Sequence, residues 1–296
     1  MNILFLVSRY PENENESILE KDLVKIFNDK NHNCFVATIN ERKFNKPTYL
    51  LNDNKIKVLK TKTGNMFNDI NFIEKGITVV TLPFLLKRSI LKHFGKEKID
   101  LIIAYSPFMS NPSLLKPLRK HFLKSNNNLK TMMILWDIFP QNAKDLGIMK
   151  NKLIFSYFKS KEHKMLKSYD FIACNSEGNI NYLTTNYNFI NKDNLLLVRN
   201  CEYPVTQNLL PKDKVRTKYN LKENEIVFIF GGNMGIPQKL ENIINIANEF
   251  KTNENVKFLF AGNGTEKNKL KQLSKDNKNI VFLDFIPREE YESLIN

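Results

Sequence analysis

Two glycine-containing loops in the last third of the sequence have residues suited to binding phosphate. The first is Gly231-Gly232-Asn233-Met234-Gly235, and the second is Gly262-Asn263-Gly264-Thr265. Each follows an apolar run typical of a buried strand and precedes a segment with helical periodicity. Glycine lets backbone N–H groups approach a ligand closely, and a helix amino terminus adds partial positive charge. Either loop alone is better explained as a tight turn, but the pair predicts a diphosphate site.

Neither loop matches the common nucleotide-binding motifs. No Gly-Lys-Ser/Thr follows, so neither loop is a Walker A motif. Neither fits G-x-G-x-x-G, and the strand after the first loop ends in Phe260-Ala261 without an acid for a ribose hydroxyl. A nicotinamide-dependent dehydrogenase is therefore disfavoured. The G-x-S-x-G elbow of α/β-hydrolases does not occur either.

The elements that must position these loops alternate between short apolar strands and helices. This alternation predicts doubly wound α/β sheets. Predicted strands cover residues 3–7, 34–39, 56–59, 101–105, 131–135, 171–174, 195–198, 226–230, 256–260 and 280–282. Predicted helices cover residues 17–30, 71–94, 113–124, 153–167, 177–185, 240–250, 266–274 and 288–294.

The alternation lapses between residues 199 and 224, where Pro204 and Pro211 lie in a polar stretch. This stretch predicts a connection between domains, with one short helix. We therefore predict two Rossmann-like domains, at residues 1–203 and 204–296. The second holds three predicted strands instead of the usual five or six, so we expect it to be incomplete.

The charge balance favours an anionic partner. The sequence has 45 Lys and Arg against 31 Asp and Glu, a net charge of +14. Nucleic acid, a membrane surface or a phosphorylated ligand would each suit this charge. No nucleic-acid-binding module or aromatic platform is recognisable, so we expect no nucleic-acid partner. No run approaches the length of a transmembrane helix and no signal peptide is recognisable, so we expect a cytoplasmic protein.

Residues 84–98 form a basic amphipathic segment. Its apolar positions share one face, and its basic positions take the other. The apolar positions are Phe84, Leu85, Leu86, Ile90, Leu91 and Phe94, and the basic ones are Lys87, Arg88, Lys92, His93 and Lys96. Such a helix can lie on an anionic membrane surface. Alternatively, the apolar face packs on the sheet and the basic residues are solvated.

Cysteine and histidine give no sign of a disulfide or metal site. Cys34, Cys174 and Cys201 are scattered and lack C-x-x-C spacing. The four histidines form no i, i+4 pair. We expect neither a metal nor a cofactor.

Several segments together resemble family 4 glycosyltransferases, in particular bacterial members that transfer N-acetylated amino sugars during surface polysaccharide assembly. The segment from Gly232 to Asn242 resembles their donor-domain signature, and residues 258–264 resemble their second donor loop. Residues 197–200 are similar to the family's hinge. In the first domain, residues 135–141 and 146–148 resemble the Asp-Leu-Trp-Pro-Glu-Ser segment of the same subgroup. The resemblance extends from residue 3 to residue 296.

The resemblance implies a GT-B architecture with two Rossmann-like domains facing a cleft. It implies a metal-independent, retaining transfer from a nucleotide-sugar to a lipid-linked or polysaccharide acceptor, in capsule or lipopolysaccharide synthesis at the inner membrane face. The implied donor-binding residues are Gly232, Asn233, Gly235, Gln238, Lys239, Gly262, Gly264 and Arg288. On the acceptor side it implies Asp137 in a polar or basic role, Trp136 shaping the pocket, and Asn175 and Ser176 at a strand end. The alternative for Trp136 and Asp137 is a packing pair.

Three departures from the family pattern affect this interpretation. The positions of the usual donor-loop arginine and lysine hold Asn233 and Gln238, so Lys239 or Arg288 would have to supply positive charge. Residues 8–11 replace the glycine pair after the first strand. The family's E-x7-E motif and final helix would fall after Asn296. The alternative hypothesis is therefore an inactive relic or a binding subunit of such an enzyme.

Overall fold

The computed structural model describes residues 1–12, 18–67, 70–201 and 209–296. The chain divides into two compact units, Met1–Tyr203 and Pro204–Asn296. Residue 17, where the first predicted helix begins, lies outside the described residues. The two residues that flank the predicted domain boundary also lie outside them.

The first unit contains one mixed sheet of eight strands in the order β3-β4-β2-β1-β5-β6-β7-β8. The strands are β1 (Asn2–Leu6), β2 (Asn33–Glu41), β3 (Tyr49–Asp53), β4 (Ile56–Thr63), β5 (Leu101–Tyr105), β6 (Lys130–Leu135), β7 (Phe171–Cys174) and β8 (Leu195–Leu197). All neighbouring strands are parallel except β3 and β4. The carboxyl ends of the parallel strands therefore meet at one edge of the sheet.

Both faces of this sheet are covered by apolar side chains, which explains the continuous apolar runs in its strands. Along β1, Leu4 and Leu6 belong to one buried cluster, whereas Ile3 and Phe5 belong to another. The α-helices described in this unit are α1 (Leu19–Asp29), α2 (Phe72–Phe94), α3 (Pro112–Phe122), α4 (Gln141–Asp145), α5 (Lys152–Leu166) and α6 (Glu177–Asn186).

Side-chain caps fix where four of these helices begin, and Asn71 provides the cap of α2. Asn111 accepts a hydrogen bond from the N–H of Ser113 at the start of α3, where Pro112 is the first helical residue. Asn151 accepts from two N–H groups at the start of α5. Ser176 accepts from the N–H of Asn179 at the start of α6. The polar residues before these helical patterns thus set the helix boundaries.

The edge strand β3 was not predicted from the sequence. It pairs antiparallel with β4 through a turn at Asn54 and Lys55, which have φ of 47° and 75°. Positive φ at both positions is typical of a two-residue hairpin turn. The strand ends in Asn52 and Asp53, and these residues conceal the apolar alternation that indicates a strand.

Most of the apolar face predicted for residues 84–98 is not available to a membrane. Leu86, Ile90 and Phe94 are at most 1% exposed and belong to the core cluster of the unit, whereas Phe84 is 59% exposed. This part of α2 packs on the sheet because its apolar positions face β4 and β2, which is the packing alternative stated for this segment. Among the described helices, none combines the length and apolar character needed to span a bilayer.

The second unit contains a parallel sheet in the order β11-β10-β9. Its strands are β9 (Ile226–Gly231), β10 (Val256–Ala261) and β11 (Ile280–Leu283), and its helices are α7 (Lys212–Lys218), α8 (Glu241–Glu249), α9 (Lys267–Leu273) and α10 (Arg288–Ile295). Phe258 and Phe260 point into one core cluster and Leu259 into another, so β10 is covered on both faces. The short helix predicted between residues 199 and 224 is α7.

Candidate functional site

The two glycine-containing loops lie side by side in the second unit. Strands β9 and β10 are parallel neighbours, and Gly231 pairs with Ala261 where both strands end. The loops that follow therefore leave the sheet at the same edge, which is where ligands bind in open α/β sheets. The structure thus brings the two predicted loops together.

Main-chain contacts join the loops and explain two of the glycines. The N–H of Gly232 donates to the carbonyl of Ala261 over 2.9 Å, and the N–H of Met234 donates to that of Asn263 over 2.8 Å. A Cβ on Gly262 would lie 2.1 Å from the carbonyl oxygen of Gly232, and one on Gly264 would lie 2.3 Å from that of Met234. Gly262 and Gly264 are therefore required for loop packing.

Gly232 has a different local role. Its φ is +149°, and a Cβ at this position would meet only the edge of the Phe230 ring at 3.8 Å. The space above its Cα is otherwise open. Here glycine provides an unusual backbone conformation and leaves the surface of the loop uncovered.

Both loops present backbone donors. The N–H groups of Asn233, Gly264 and Thr265 donate to no acceptor within the described parts of the chain. Asn233 and Thr265 are exposed and Gly264 is half-buried, so these donors are within reach of a ligand. Adjacent N–H groups of this kind form an anion-binding surface.

The first loop is closed by a local hydrogen bond. The N–H of Gly235 donates to Oε1 of Gln238 over 3.1 Å. Lys239 follows in a left-handed conformation with φ of 46° and is exposed. Gln238 thus shapes the loop. Lys239 is a charged side chain within the segment that resembles the family's donor-domain signature.

Arg288 is less available to a ligand. It lies at the start of α10, and its Nε donates to Glu292 of the same helix over 2.5 Å. The helix packs under the first loop, because a Cβ on Gly231 would lie 2.3 Å from the Tyr291 ring. Of the two cations predicted to face a diphosphate, Lys239 is the one without a carboxylate partner among the described residues.

The sequence analysis missed Lys267, the first residue of α9. It is 7% exposed, and its Nζ lies 2.8 Å from the Gly262 carbonyl, 2.9 Å from Oδ1 of Asn263, 3.0 Å from the Leu283 carbonyl and 2.6 Å from Oδ1 of Asp284. The hydrogen bond from Lys267 lowers the pKa of Asp284. Lys267 therefore ties the second loop to the end of β11. A lysine in the first turn of a helix opposes the helix dipole, and this is the signal that could have identified it.

The acceptor-side residues predicted in the first unit lie at the carboxyl edge of its sheet. Trp136 and Asp137 follow β6, and Asn175 and Ser176 follow the parallel neighbour β7. Trp136 packs edge-on against Tyr105, with ring centroids 5.0 Å apart. Asp137 is exposed. Trp136 thus packs at the strand end, and Asp137 faces solvent.

Asn175 and Ser176 have local structural contacts. Ser176 caps α6, and Oδ1 of Asn175 accepts a hydrogen bond from the side chain of Asn179 over 2.8 Å. Both contacts stabilise the first turn of α6. Any contact with a ligand would come in addition to this role.

A buried carboxyl near the same edge was also missed by the sequence analysis. Glu20 in α1 is 7% exposed and accepts a hydrogen bond from Ser8, which follows β1. Burial raises the pKa of Glu20. Nearby, Tyr105 and Trp136 line a shallow pocket together with Arg199, from the segment that resembles the family hinge. No group of three or more potential metal ligands occurs in the described ranges.

No protein-family model matches this sequence, and a sequence search of curated proteins finds no match. Solved structures do match. A structure of trehalose-6-phosphate from E. coli, bound with UDP-2-fluoro glucose, has 11% identity and a TM-score of 0.66 over 99% of this chain and 76% of that chain. Anabaena Alr3699/HepE in complex with UDP has 13% identity and a TM-score of 0.60 over 99% and 72%. WaaG, a glycosyltransferase involved in lipopolysaccharide biosynthesis, has 11% identity and a TM-score of 0.59 over 98% and 72%.

These neighbours are GT-B glycosyltransferases, and the likeness covers nearly the whole described chain. At such low identity, the likeness establishes the fold. The predicted fold class is confirmed: this chain has the α/β fold of GT-B glycosyltransferases.

Proposed function

We propose that this chain is a glycosyltransferase that takes a sugar from a nucleotide-sugar. One observation carries the proposal: two adjacent loops at the carboxyl ends of parallel strands present N–H donors without acceptors in the described chain. Such a surface suits the diphosphate of a nucleotide-sugar. Structural neighbours from E. coli and Anabaena hold UDP-2-fluoro glucose and UDP. Uridine nucleotides are therefore the first ligands to test.

The loops would stabilise the departing nucleoside diphosphate by electrostatics. Fixed donors that face developing charge need no reorganisation during the reaction. The N–H groups of Asn233 and Gly264 would contact phosphate oxygens, and Lys239 would supply a positive charge. In this proposal the reaction needs no metal ion.

The finer assignment rests on the sequence resemblance. The proposed enzyme belongs to family 4, retains anomeric configuration, and transfers a UDP-linked N-acetylated sugar to a lipid-linked or polysaccharide acceptor. The exposed carboxylate of Asp137 would contact the acceptor, and Trp136 would shape its pocket. WaaG, with the same fold, is described as involved in lipopolysaccharide biosynthesis.

The acceptor proposal also includes contact with the inner membrane face, through the first part of α2 together with Phe84, Lys87 and Arg88 of the segment that the sequence indicates. Ile73, Ile77, Val80 and Phe84 are 59% to 78% exposed and share one helical face. Lys87 and Arg88 flank this face on the next turn, and Nζ of Lys87 lies 5.5 Å from the Phe84 ring centroid. An apolar stripe with basic borders suits an anionic bilayer surface.

Vesicle sedimentation tests this membrane contact. We expect I77E to lose binding to phosphatidylglycerol vesicles, while K120Q in α3 retains it. Equal binding of I77E and the unmodified protein would exclude the stripe.

The donor site is tested by the UDP affinity of two matched variants. Gly232 and Gly147 both have positive φ, and a Cβ at either position would meet no atom within 3.5 Å. Gly147 is the control because it lies in the first unit, outside the two loops. We expect Gly232→Val to weaken UDP binding in titration calorimetry by at least roughly tenfold, or about 1.4 kcal/mol. Gly147→Val should bind UDP like the unmodified protein. Unchanged affinity in Gly232→Val would refute the assignment.

The second candidate, a binding subunit without activity, predicts a different pattern. UDP or acceptor would bind, but UDP release from UDP-sugars would not occur with any acceptor. The proposed enzyme releases UDP only when the donor and an acceptor are present together. A coupled assay for UDP separates these two candidates.

A further inference from the structure

A basic cavity lies in the first unit, at the edge of the sheet opposite the acceptor-side loops. It has a volume of about 360 Å³ and is lined by Leu115, Lys116, Arg119, Lys164, Lys167 and Ser168. The first three residues belong to α3, which leads into β6, and the last three lie at the end of α5, just before β7. The cavity therefore lies at the amino ends of these strands.

In the described chain, six residues line the cavity. Four of the six are cationic, and none of them carries a carboxylate. One carboxylate lies beside the cavity, where Asp170 forms a 2.7 Å ion pair with Arg119. Asp170 also accepts hydrogen bonds from the N–H and hydroxyl of Thr131, at 2.8 and 2.9 Å. The guanidinium is therefore anchored to the start of β6, and three lysines remain near it.

The helix ends account for only part of this charge cluster. Lysines in the last turn of a helix complement its dipole, which would explain Lys164 and Lys167 without a ligand. Lys116 lies in the middle of α3, where the dipole gives no such advantage. Lys167 is also held in place, because its Nζ lies 4.5 Å from the Phe189 ring centroid. Four cations thus line one cavity, and contacts hold two of them, Arg119 and Lys167.

We propose that this cavity binds a phosphate or diphosphate group. Its volume falls at the small end of ligand pockets, about 300–1,000 Å³. A guanidinium and several ammonium groups are the usual partners of phosphate oxygens. The proposal does not depend on the function of the glycine-containing loops.

Lysine footprinting tests the site without interference from those loops. The protein is acetylated with a limiting amine reagent at constant ionic strength, with and without pyrophosphate, and each lysine is quantified by mass spectrometry. We expect pyrophosphate to slow modification of Lys116 and Lys164 at least roughly fivefold. Lys120 and Lys161, exposed on the same two helices, are the internal references and should change little. Equal protection of all four lysines, or of none, would overturn the proposal.

A pair of double variants gives an independent readout by titration calorimetry. K116Q/K164Q removes two lining charges, and K120Q/K161Q removes two charges outside the cavity. Both double variants are made in a Gly232→Val background, which is expected to weaken binding at the donor loops. There K116Q/K164Q should weaken pyrophosphate binding at least roughly tenfold, and K120Q/K161Q less than twofold. Equal affinities of the two double variants would contradict a defined site.

The footprint also identifies the source of the phosphate group. A small soluble ligand predicts protection by pyrophosphate alone. A lipid headgroup predicts that phosphatidylglycerol vesicles also protect Lys116 and Lys164, in the I77E variant as in the unmodified protein. Both patterns support the phosphate site, and absence of protection in both experiments refutes it.

Discussion

The Cα of Gly262 lies directly against the carbonyl oxygen of Gly232, so that a Cβ on Gly262 would be 2.1 Å from that oxygen. Side chains do not tolerate such a distance, so the two loops can lie together only if residue 262 is glycine. The same contact sets the spacing between the N–H donors of the loops. Loop packing and the proposed diphosphate site therefore depend on one structural feature.

Gly262→Ala should destabilise the second unit and disturb the site. Relief of the clash requires the loops to separate, at a cost of about 1–3 kcal/mol, and the φ of +129° adds strain. Gly232→Ala, with no atom closer than 3.8 Å to the added Cβ, should cost less. Urea denaturation compares the two variants. A larger loss of stability in Gly232→Ala would contradict the loop packing described here.

Lys267→Met should destabilise the second loop. The variant keeps the apolar stem but leaves the carbonyl of Gly262 without its donor, and the carbonyl of Leu283 keeps only the N–H of Gly262. Unpaired buried acceptors cost about 1–3 kcal/mol. Lys271→Met on the exposed side of the same helix is the control and should stay within about 0.5 kcal/mol of the unmodified protein. If Lys267→Met lowers the free energy of unfolding no more than the control does, the hydrogen bonds of Lys267 do not stabilise the second loop.

Glu41 should stabilise the first unit at neutral pH through its charged form. Burial raises the pKa of its carboxyl, but the N–H groups of Met66 and Phe67 and the ammonium of Lys43 outweigh burial and lower the pKa below the usual 4.5. A carboxyl whose pKa is lowered by folding stabilises the folded state at every pH above its pKa in the unfolded chain. This stabilisation is lost as the pH falls through its pKa in the folded state. Glu41→Gln should therefore cost roughly 1 kcal/mol at neutral pH. The difference should shrink below pH 4.5 in urea titrations, and a constant difference would exclude a charge effect.

Glu20 should show the opposite dependence on pH. Burial raises the pKa of its carboxyl above the usual 4.5, against the hydrogen bond from Ser8 and the charge of Arg9. The folded state favours the neutral form, so stability is lost as the pH rises through the raised pKa. Glu20→Gln should raise the unfolding midpoint at neutral pH and leave it unchanged below pH 4.5. A variant that is less stable at neutral pH would show that the Glu20 charge is compensated.

The sequence predicted most of the first sheet because buried parallel strands are continuous apolar runs. β5 and β7 have the predicted bounds, 101–105 and 171–174. The polar edge strand β3 gave no such pattern. In α2 the helical period was correct, but periodicity alone could not show that Leu86 and Ile90 pack on the sheet while Ile77 is exposed.

Prediction of the site was limited by contacts between segments distant in the sequence. The glycine loops were recognisable because glycine allows a backbone to approach its neighbour closely, and the structure places the two loops together. The contacts of Lys267 could not be predicted, because its four oxygen partners come from two separate segments. The assigned roles of Asn233, Gln238, Lys239 and Asp137 remain predictions.

The central claim is that a nucleotide-sugar binds on the two loops, and photolabelling tests it most directly. The protein is irradiated with a 5-azido-UDP-sugar, with and without excess UDP, and the labelled peptides are identified by mass spectrometry. We expect labelling within residues 231–239 and 262–267, and we expect excess UDP to prevent it. UDP-protected labelling confined to the first unit would contradict it.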